Sequence, residues 1–117
     1  MSDERSVRHL LGPAGAIARR LPDFEVRPQQ LAMADAVERA LQQRRHLIAE
    51  AGTGTGKSFA YLLPPALHAD THQGEGPVVV STRTIALQEQ LEHKDLPFLH
   101  AVLPFEWSSV TAIGRNN

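Results

Sequence analysis

The sequence has no cysteine among its 117 residues, which excludes a disulfide framework and a thiolate metal site. No apolar run approaches the roughly 20 residues that cross a bilayer, so no membrane-spanning helix and no membrane partner are expected. The net charge of −1 provides no overall basic field for nucleic acid. The first residues lack the basic-then-apolar order of a signal peptide, so a cytoplasmic location is the default expectation.

Proline positions and the spacing of apolar residues predict the helical segments. A short helix is expected over residues 14–21, ending before Pro22, and a longer one from Pro28, whose missing N–H suits a first helical turn. The longer helix carries an apolar stripe at helical spacing, which predicts a core-facing side. The stripe consists of Met33, Ala36, Val37, Ala40 and Leu41.

Three short apolar segments are predicted to be buried strands, namely 47–49, 78–80 and 110–113. Helices should separate them. The first should run from Lys57 to about Leu63, because Pro64 and Pro65 would kink or end it, and the second should end near Pro97. This alternation predicts an α/β domain with a parallel sheet flanked by helices.

A glycine-rich segment lies between the first predicted strand and the next predicted helix, the context expected of a P-loop. Its glycines allow backbone N–H groups to point at phosphate oxygens, and the helix start adds a positive dipole end. Lys57 can reach the β- and γ-phosphates of a nucleotide, and the Ser58 hydroxyl can bind Mg²⁺. The P-loop consists of Ala51, Gly52, Thr53, Gly54, Thr55, Gly56, Lys57 and Ser58.

Two further segments, 27–33 and 78–91, combine with residues 50–58 to resemble the DinG/XPD family of superfamily 2 DNA helicases. The resemblance is strongest to its bacterial DinG- and YoaA-like branch and covers nearly the whole chain. It implies a RecA-like P-loop domain that binds ATP and Mg²⁺ and drives the unwinding of DNA. Residues 1–25 would be a lead-in, and residues 26–117 the first part of motor domain 1.

The resemblance also implies roles for residues outside the P-loop. Gln30, with Arg27 near it, corresponds to the Q-motif that contacts adenine, and an amide suits adenine because it both donates and accepts. Gln29 is the rival if the register is off by one. A segment resembling motif Ia would contact the phosphate backbone of DNA, since hydroxyls and arginine are good phosphate partners. It consists of Ser81, Thr82, Arg83 and Thr84.

The sequence departs from the family pattern in two ways. The Walker B sequence Asp-Glu-Ala-His is absent, and so are the four cysteines that hold the family's 4Fe–4S cluster. We therefore expect an N-terminal fragment of a longer helicase, inactive alone. The longer chain would supply the second motor domain and act on single-stranded or forked DNA in repair or replication.

Other interpretations remain open at this point. A small-molecule P-loop kinase would need an arginine-rich lid, whereas only Arg83 and Arg115 follow the P-loop. A non-catalytic nucleotide-binding module would be compatible with the missing Walker B sequence. His68 and His72 are four residues apart, but the prolines before them and Gly74 after them favour a solvated loop over a metal site.

Overall fold

The structure is a computed structural model that describes residues 6–50, 57–72 and 74–112. Its described parts are helices joined by turns and irregular segments. A π-helical segment, Leu91–Asp95, joins the fifth helix to the sixth. The helices are α1 (Val7–Leu10), α2 (Ala16–Arg20), α3 (Pro28–Gln43), α4 (Lys57–Thr71), α5 (Ile85–Gln90) and α6 (Leu96–Val102).

The first two helices are part of the main core. The Ser6 hydroxyl accepts a hydrogen bond from the backbone N–H of His9 at 3.2 Å and so caps α1. Helix α2 confirms the short helix predicted before Pro22. Four apolar side chains of this region are completely buried and pack with α3, α4 and α6. They are Val7, Leu10, Leu11 and Ile17.

The turn between α1 and α2 depends on a close backbone approach at Gly15. A Cβ atom there would overlap the carbonyl oxygens of His9 and Leu10. Only glycine therefore fits this position without moving one of the two helices.

Helices α3 and α4 form the most extensive helix pair, with Ala34 and Ala60 fully buried between apolar neighbours. The stripe predicted on α3 is only half-buried. The residues of α3 that are most buried are Gln30 and Ala34, one turn apart. The prediction therefore found the helix but misplaced its most buried face.

Helix α4 continues through Pro64 and Pro65 to Thr71, so the predicted end near Leu63 is wrong. Each proline removes one hydrogen bond from the helix. Leu63, Pro64 and Ala66 are nevertheless buried. We attribute the continuity of α4 to this packing, because burial of one helix face contributes more stability than a single backbone hydrogen bond.

The predicted strands are not formed in the parts of the chain that the structure describes. Residues 47–49, 78–80 and 110–112 are irregular, and Ile48, Val79 and Val110 are 100%, 82% and 94% exposed. A strand satisfies its backbone N–H and C=O groups only through a neighbouring strand, and here none is paired. The β-branched residues therefore indicated a tendency to form strands, but the described residues form none.

The helix expected to end near Pro97 instead continues to Val102. The π-helical segment Leu91–Asp95 immediately precedes the proline. Pro97 lies in the first turn of α6, where its missing N–H is tolerated. The side chain of Gln90 donates to Asp95 across the π-helical segment at 3.1 Å.

Candidate nucleotide and DNA site

Helix α4 starts at the last two residues of the P-loop. Lys57 is its first residue and is exposed, and Ser58 is half-buried in the same turn. The other P-loop residues, 51–56, lie outside the described parts of the chain. A helix start presents backbone N–H groups without intrahelical partners and a positive dipole end, which attract phosphate. The described part of the motif thus has the helical position that phosphate binding requires.

The Q-motif residues lie at the start of α3. Arg27 is the N-cap residue, with its Nε 4.0 Å from a carboxylate oxygen of Glu25. Gln30 is only 3% exposed, and it is the one buried polar side chain in residues 6–50, 57–72 and 74–112. Gln29 is exposed. Burying an amide carries a desolvation cost, so a buried glutamine is more informative than an exposed one.

The helices that begin with these two motifs pack directly against each other. Ala34 of α3 and Ala60 of α4, each about one turn beyond its motif, are fully buried in the core that the two helices share. Small side chains allow two helices to approach closely. The described structure therefore places the Q-motif and P-loop helices in one packed unit.

Two acidic residues of α3 lie one turn apart, and one of them pairs with α1. Arg8 pairs with Asp35 at 2.5 Å between Nη2 and Oδ2. Burial raises the pKa of Glu38, and the negative charge of Asp35 raises it further. This carboxyl group is one turn from Asp35, where the two side chains are neighbours.

The motif Ia segment precedes α5 as an irregular chain. Ser81, Arg83 and Thr84 are exposed, and Thr82 is half-buried. The hydroxyl of Thr84 accepts a hydrogen bond from the N–H of Leu87 at 3.2 Å, so this threonine caps α5. The hydroxyl and guanidinium groups expected to bind phosphate are accessible, and one of them also holds the helix start.

The residues present fit one of the two implied metal groups. The Ser58 hydroxyl is the oxygen type that Mg²⁺ prefers and lies in the first turn of α4. An iron–sulfur cluster is held by cysteine thiolates, and the chain has none. No step is therefore assigned to a cluster here.

The family described as DEAD/DEAH box helicase matches residues 27–109, which is most of the chain. The chain therefore belongs to the DEAD/DEAH box helicase family. Membership implies a RecA-like fold; the described residues are helical, and no strand of the implied sheet is formed among them.

The chain is also similar to two proteins that are named as ATP-dependent helicases. The chain is 41% identical over 105 residues to the ATP-dependent DNA helicase YoaA of Escherichia coli K12, covering 90% of the chain and 16% of that protein. It is 54% identical over 70 residues to the ATP-dependent helicase DinG of Mycobacterium tuberculosis H37Rv, covering 60% and 10%.

A third relative is named as an exonuclease. The chain is 34% identical over 106 residues to the 3'-5' exonuclease DinG of Bacillus subtilis 168, covering 91% of the chain and 11% of that protein. The chain thus spans a small part of each relative. No solved structure matches the chain. Within the described residues, no helix is both long and apolar enough to cross a bilayer.

Proposed function

We propose that the chain forms the nucleotide-binding part of motor domain 1 in an ATP-dependent DNA helicase. The observation that carries this proposal is the P-loop sequence ending at the exposed start of α4 in a chain of the DEAD/DEAH box helicase family. The names of the E. coli and M. tuberculosis relatives support it. The chain covers at most 16% of those two proteins, so the activity belongs to a longer protein.

Lys57 and Ser58 have the central roles in the proposed site. The Lys57 ammonium group offsets negative charge on the β- and γ-phosphates, and the Ser58 hydroxyl holds Mg²⁺. Backbone N–H groups of residues 51–56 would surround the phosphates. These roles need groups free to meet a ligand, and the exposed Lys57 side chain satisfies that condition.

DNA is proposed to bind at the motif Ia segment, 81–84. Its exposed hydroxyl and guanidinium groups can contact phosphate oxygens but cannot read a base sequence. Such a site suits single-stranded or forked DNA of any sequence, as expected for an enzyme of repair or replication. The family resemblance further implies movement in the 5′-to-3′ direction.

We also propose that residues 47–49 and 78–80 become parallel strands when the motor domain is complete. Each precedes one of the two candidate binding segments, the P-loop and motif Ia. In open α/β sheets, ligands bind beyond the carboxyl ends of the strands. The second motor domain would complete the site when ATP draws the two domains together, in a cytoplasmic enzyme.

The family match favours a helicase over a small-molecule kinase. A non-catalytic nucleotide-binding module differs from a helicase in one measurable respect, because it would bind ATP without hydrolysing it. The test is therefore DNA-stimulated ATP hydrolysis by the full-length protein.

The decisive variant is Lys57→Ala, with Lys94→Ala as the matched control. Both lysines are exposed on helices, so neither change should alter the fold. Lys57→Ala should lower ATP turnover by about 100-fold or more, since it removes a preorganised charge from the phosphates. Lys94→Ala should leave turnover unchanged. Near-normal turnover by the folded Lys57→Ala variant would refute the P-loop assignment.

A further inference from the structure

Three side chains with metal-binding atoms meet at the end of α4, away from the first turn that carries Lys57. They belong to His68, His72 and Glu75, and their potential ligand atoms all lie within 4.8 Å of one another. The two imidazole rings stack with their centroids 4.0 Å apart. The predicted solvated loop is wrong for His68, because α4 continues through its prolines and includes this residue, whereas His72 lies exposed in the turn that follows the helix.

The chain after α4 turns back and brings Glu75 to the two histidines. Gly74 and Gly76 have φ angles of 94° and 93°, a region that glycine enters without strain. The backbone N–H of Glu75 donates to the carbonyl oxygen of His72 at 3.2 Å, which fixes the turn. The approach of Glu75 to the helix is thus built into the backbone.

The hydrogen bonds of His72 select one tautomer. Its Nδ1 lies 3.1 Å from the carbonyl oxygen of His68 and 2.8 Å from the hydroxyl of Thr71. A carbonyl oxygen can only accept, so the contact with His68 favours the tautomer with its proton on Nδ1 and a lone pair on Nε2. Histidines that bind metals usually have one ring nitrogen bonded to a carbonyl and the other on the ion.

Glu75 also has a partner that leaves part of its carboxylate available. Arg44 donates from Nη2 to Oε1 of Glu75 at 3.1 Å. A carboxylate has two oxygens and about four lone-pair sites, so Oε2 can still bind an ion. Arg44, bonded to Oε1, would then orient the Glu75 carboxylate so that Oε2 meets the ion.

We propose that His68, His72 and Glu75 form a binding site for a divalent transition-metal ion such as Zn²⁺. Tetrahedral ligands at the usual zinc distances lie about 3.4 Å apart. An ion would therefore draw the three ligand atoms closer and turn the two imidazole rings out of their stack, because each nitrogen lone pair lies in its ring plane. Two nitrogens and one oxygen leave a fourth position for water.

Other features of the end of α4 favour a bound cation there. The carbonyl end of a helix is the negative end of its dipole. Imidazole ligands prefer zinc and its neighbours to magnesium. The ion would fasten the turn at 74–76 to the end of α4.

The experiment is isothermal titration calorimetry of the full-length, metal-stripped protein with ZnCl₂ and, separately, with MgCl₂. The variants are His72→Gln and Glu75→Gln, both at exposed positions, and His68→Gln. The control is His93→Gln, an exposed histidine on the π-helical segment. Absorption of bound Co²⁺ reports whether the ligands are tetrahedral.

Apart from any zinc bound by cysteines of the longer protein, the proposal expects one zinc site that is lost in the three cluster variants and kept in the control. Loss of a ligand should weaken binding by about 100-fold or more, and Mg²⁺ should not compete. Equal zinc binding by parent and cluster variants would overturn the proposal, as would the absence of zinc binding by the parent. ATP turnover of His72→Gln should remain normal, which separates this test from that of the helicase.

Discussion

Replacing Gln30 with alanine tests the Q-motif assignment, and the structure supplies a control beside it. Gln30 is 3% exposed in the first turn of α3, whereas Gln29 precedes it in the same turn and is exposed. Both substitutions remove a glutamine side-chain amide from the first turn of α3. The side chains removed by Gln30→Ala and Gln29→Ala therefore differ in burial and direction, but the chemical group that is lost is the same.

The expected size of each effect follows from these positions. An amide that bonds to the adenine edge contributes about 1–3 kcal/mol once its partner is left unsatisfied in a buried site. This corresponds to an increase of about 5- to 150-fold in the dissociation constant for ATP. GTP should change little, because the Lys57 and P-loop contacts involve only phosphates. Gln30→Ala should also lower the free energy of unfolding by about 1–3 kcal/mol, against about 0.5 kcal/mol or less for Gln29→Ala.

The assay compares ATP and GTP dissociation constants and denaturant unfolding for the full-length parent and both variants. A selective loss of ATP affinity in Gln30→Ala supports the assignment. The contact between Gln30 and adenine requires the buried amide to turn toward the base. If only Gln29→Ala loses the preference for ATP, the register is off by one residue. If both variants retain the preference, the Q-motif assignment is refuted, and a stability loss in Gln30→Ala alone would identify a packing residue.

Three further outcomes are expected. The isolated 117-residue chain should not turn over ATP measurably, since it has no Walker B sequence; turnover abolished by Lys57→Ala would contradict this. Gly15→Ala should destabilise the chain by about 1–3 kcal/mol in urea unfolding, because its Cβ would overlap two carbonyl oxygens, and an unchanged midpoint would refute the close approach. Glu38→Gln should stabilise the chain at pH 7 and not at pH 4, because the raised pKa of Glu38 makes its contribution to stability fall as pH rises above 4.5. A pH-independent effect in urea unfolding would exclude the linkage.

Local signals predicted α2, the starts of α3 and α4 and the helix after residue 84, but not α1 or the ends of α4 and α6. The proline and apolar spacing that predicted α3 from Pro28 correspond to a helix that begins there. The end of α4 was predicted wrongly because a proline rule considers one residue, whereas the buried side of the helix includes Leu63 and Ala66. The end of α6 was wrong for a related reason, since a π-helical segment before Pro97 was not foreseeable from composition.

The same limit applies to candidate sites. The P-loop was predicted from residue type and order and motif Ia from the family resemblance, because each is one contiguous segment; their binding roles stay predictions. The histidine pair was visible at its four-residue spacing, but the contribution of Glu75 depends on a turn set by Gly74 and Gly76. The burial of Gln30 also depends on how α1, α3 and α4 pack, which the local sequence does not specify.

The sheet depends most on contacts between distant residues. The core that is present joins helices by side-chain packing, whereas a parallel strand needs a partner from elsewhere in the sequence. Residues 47–49, Val79 and Val80 are exposed, and segments 47–49 and 78–80 each lead into a proposed binding segment. If pairing of these strands also fixes the segments that follow them, then building the sheet and assembling the nucleotide site are one process. The expected inactivity of the isolated chain then follows from its unpaired strands as well as from the missing acid.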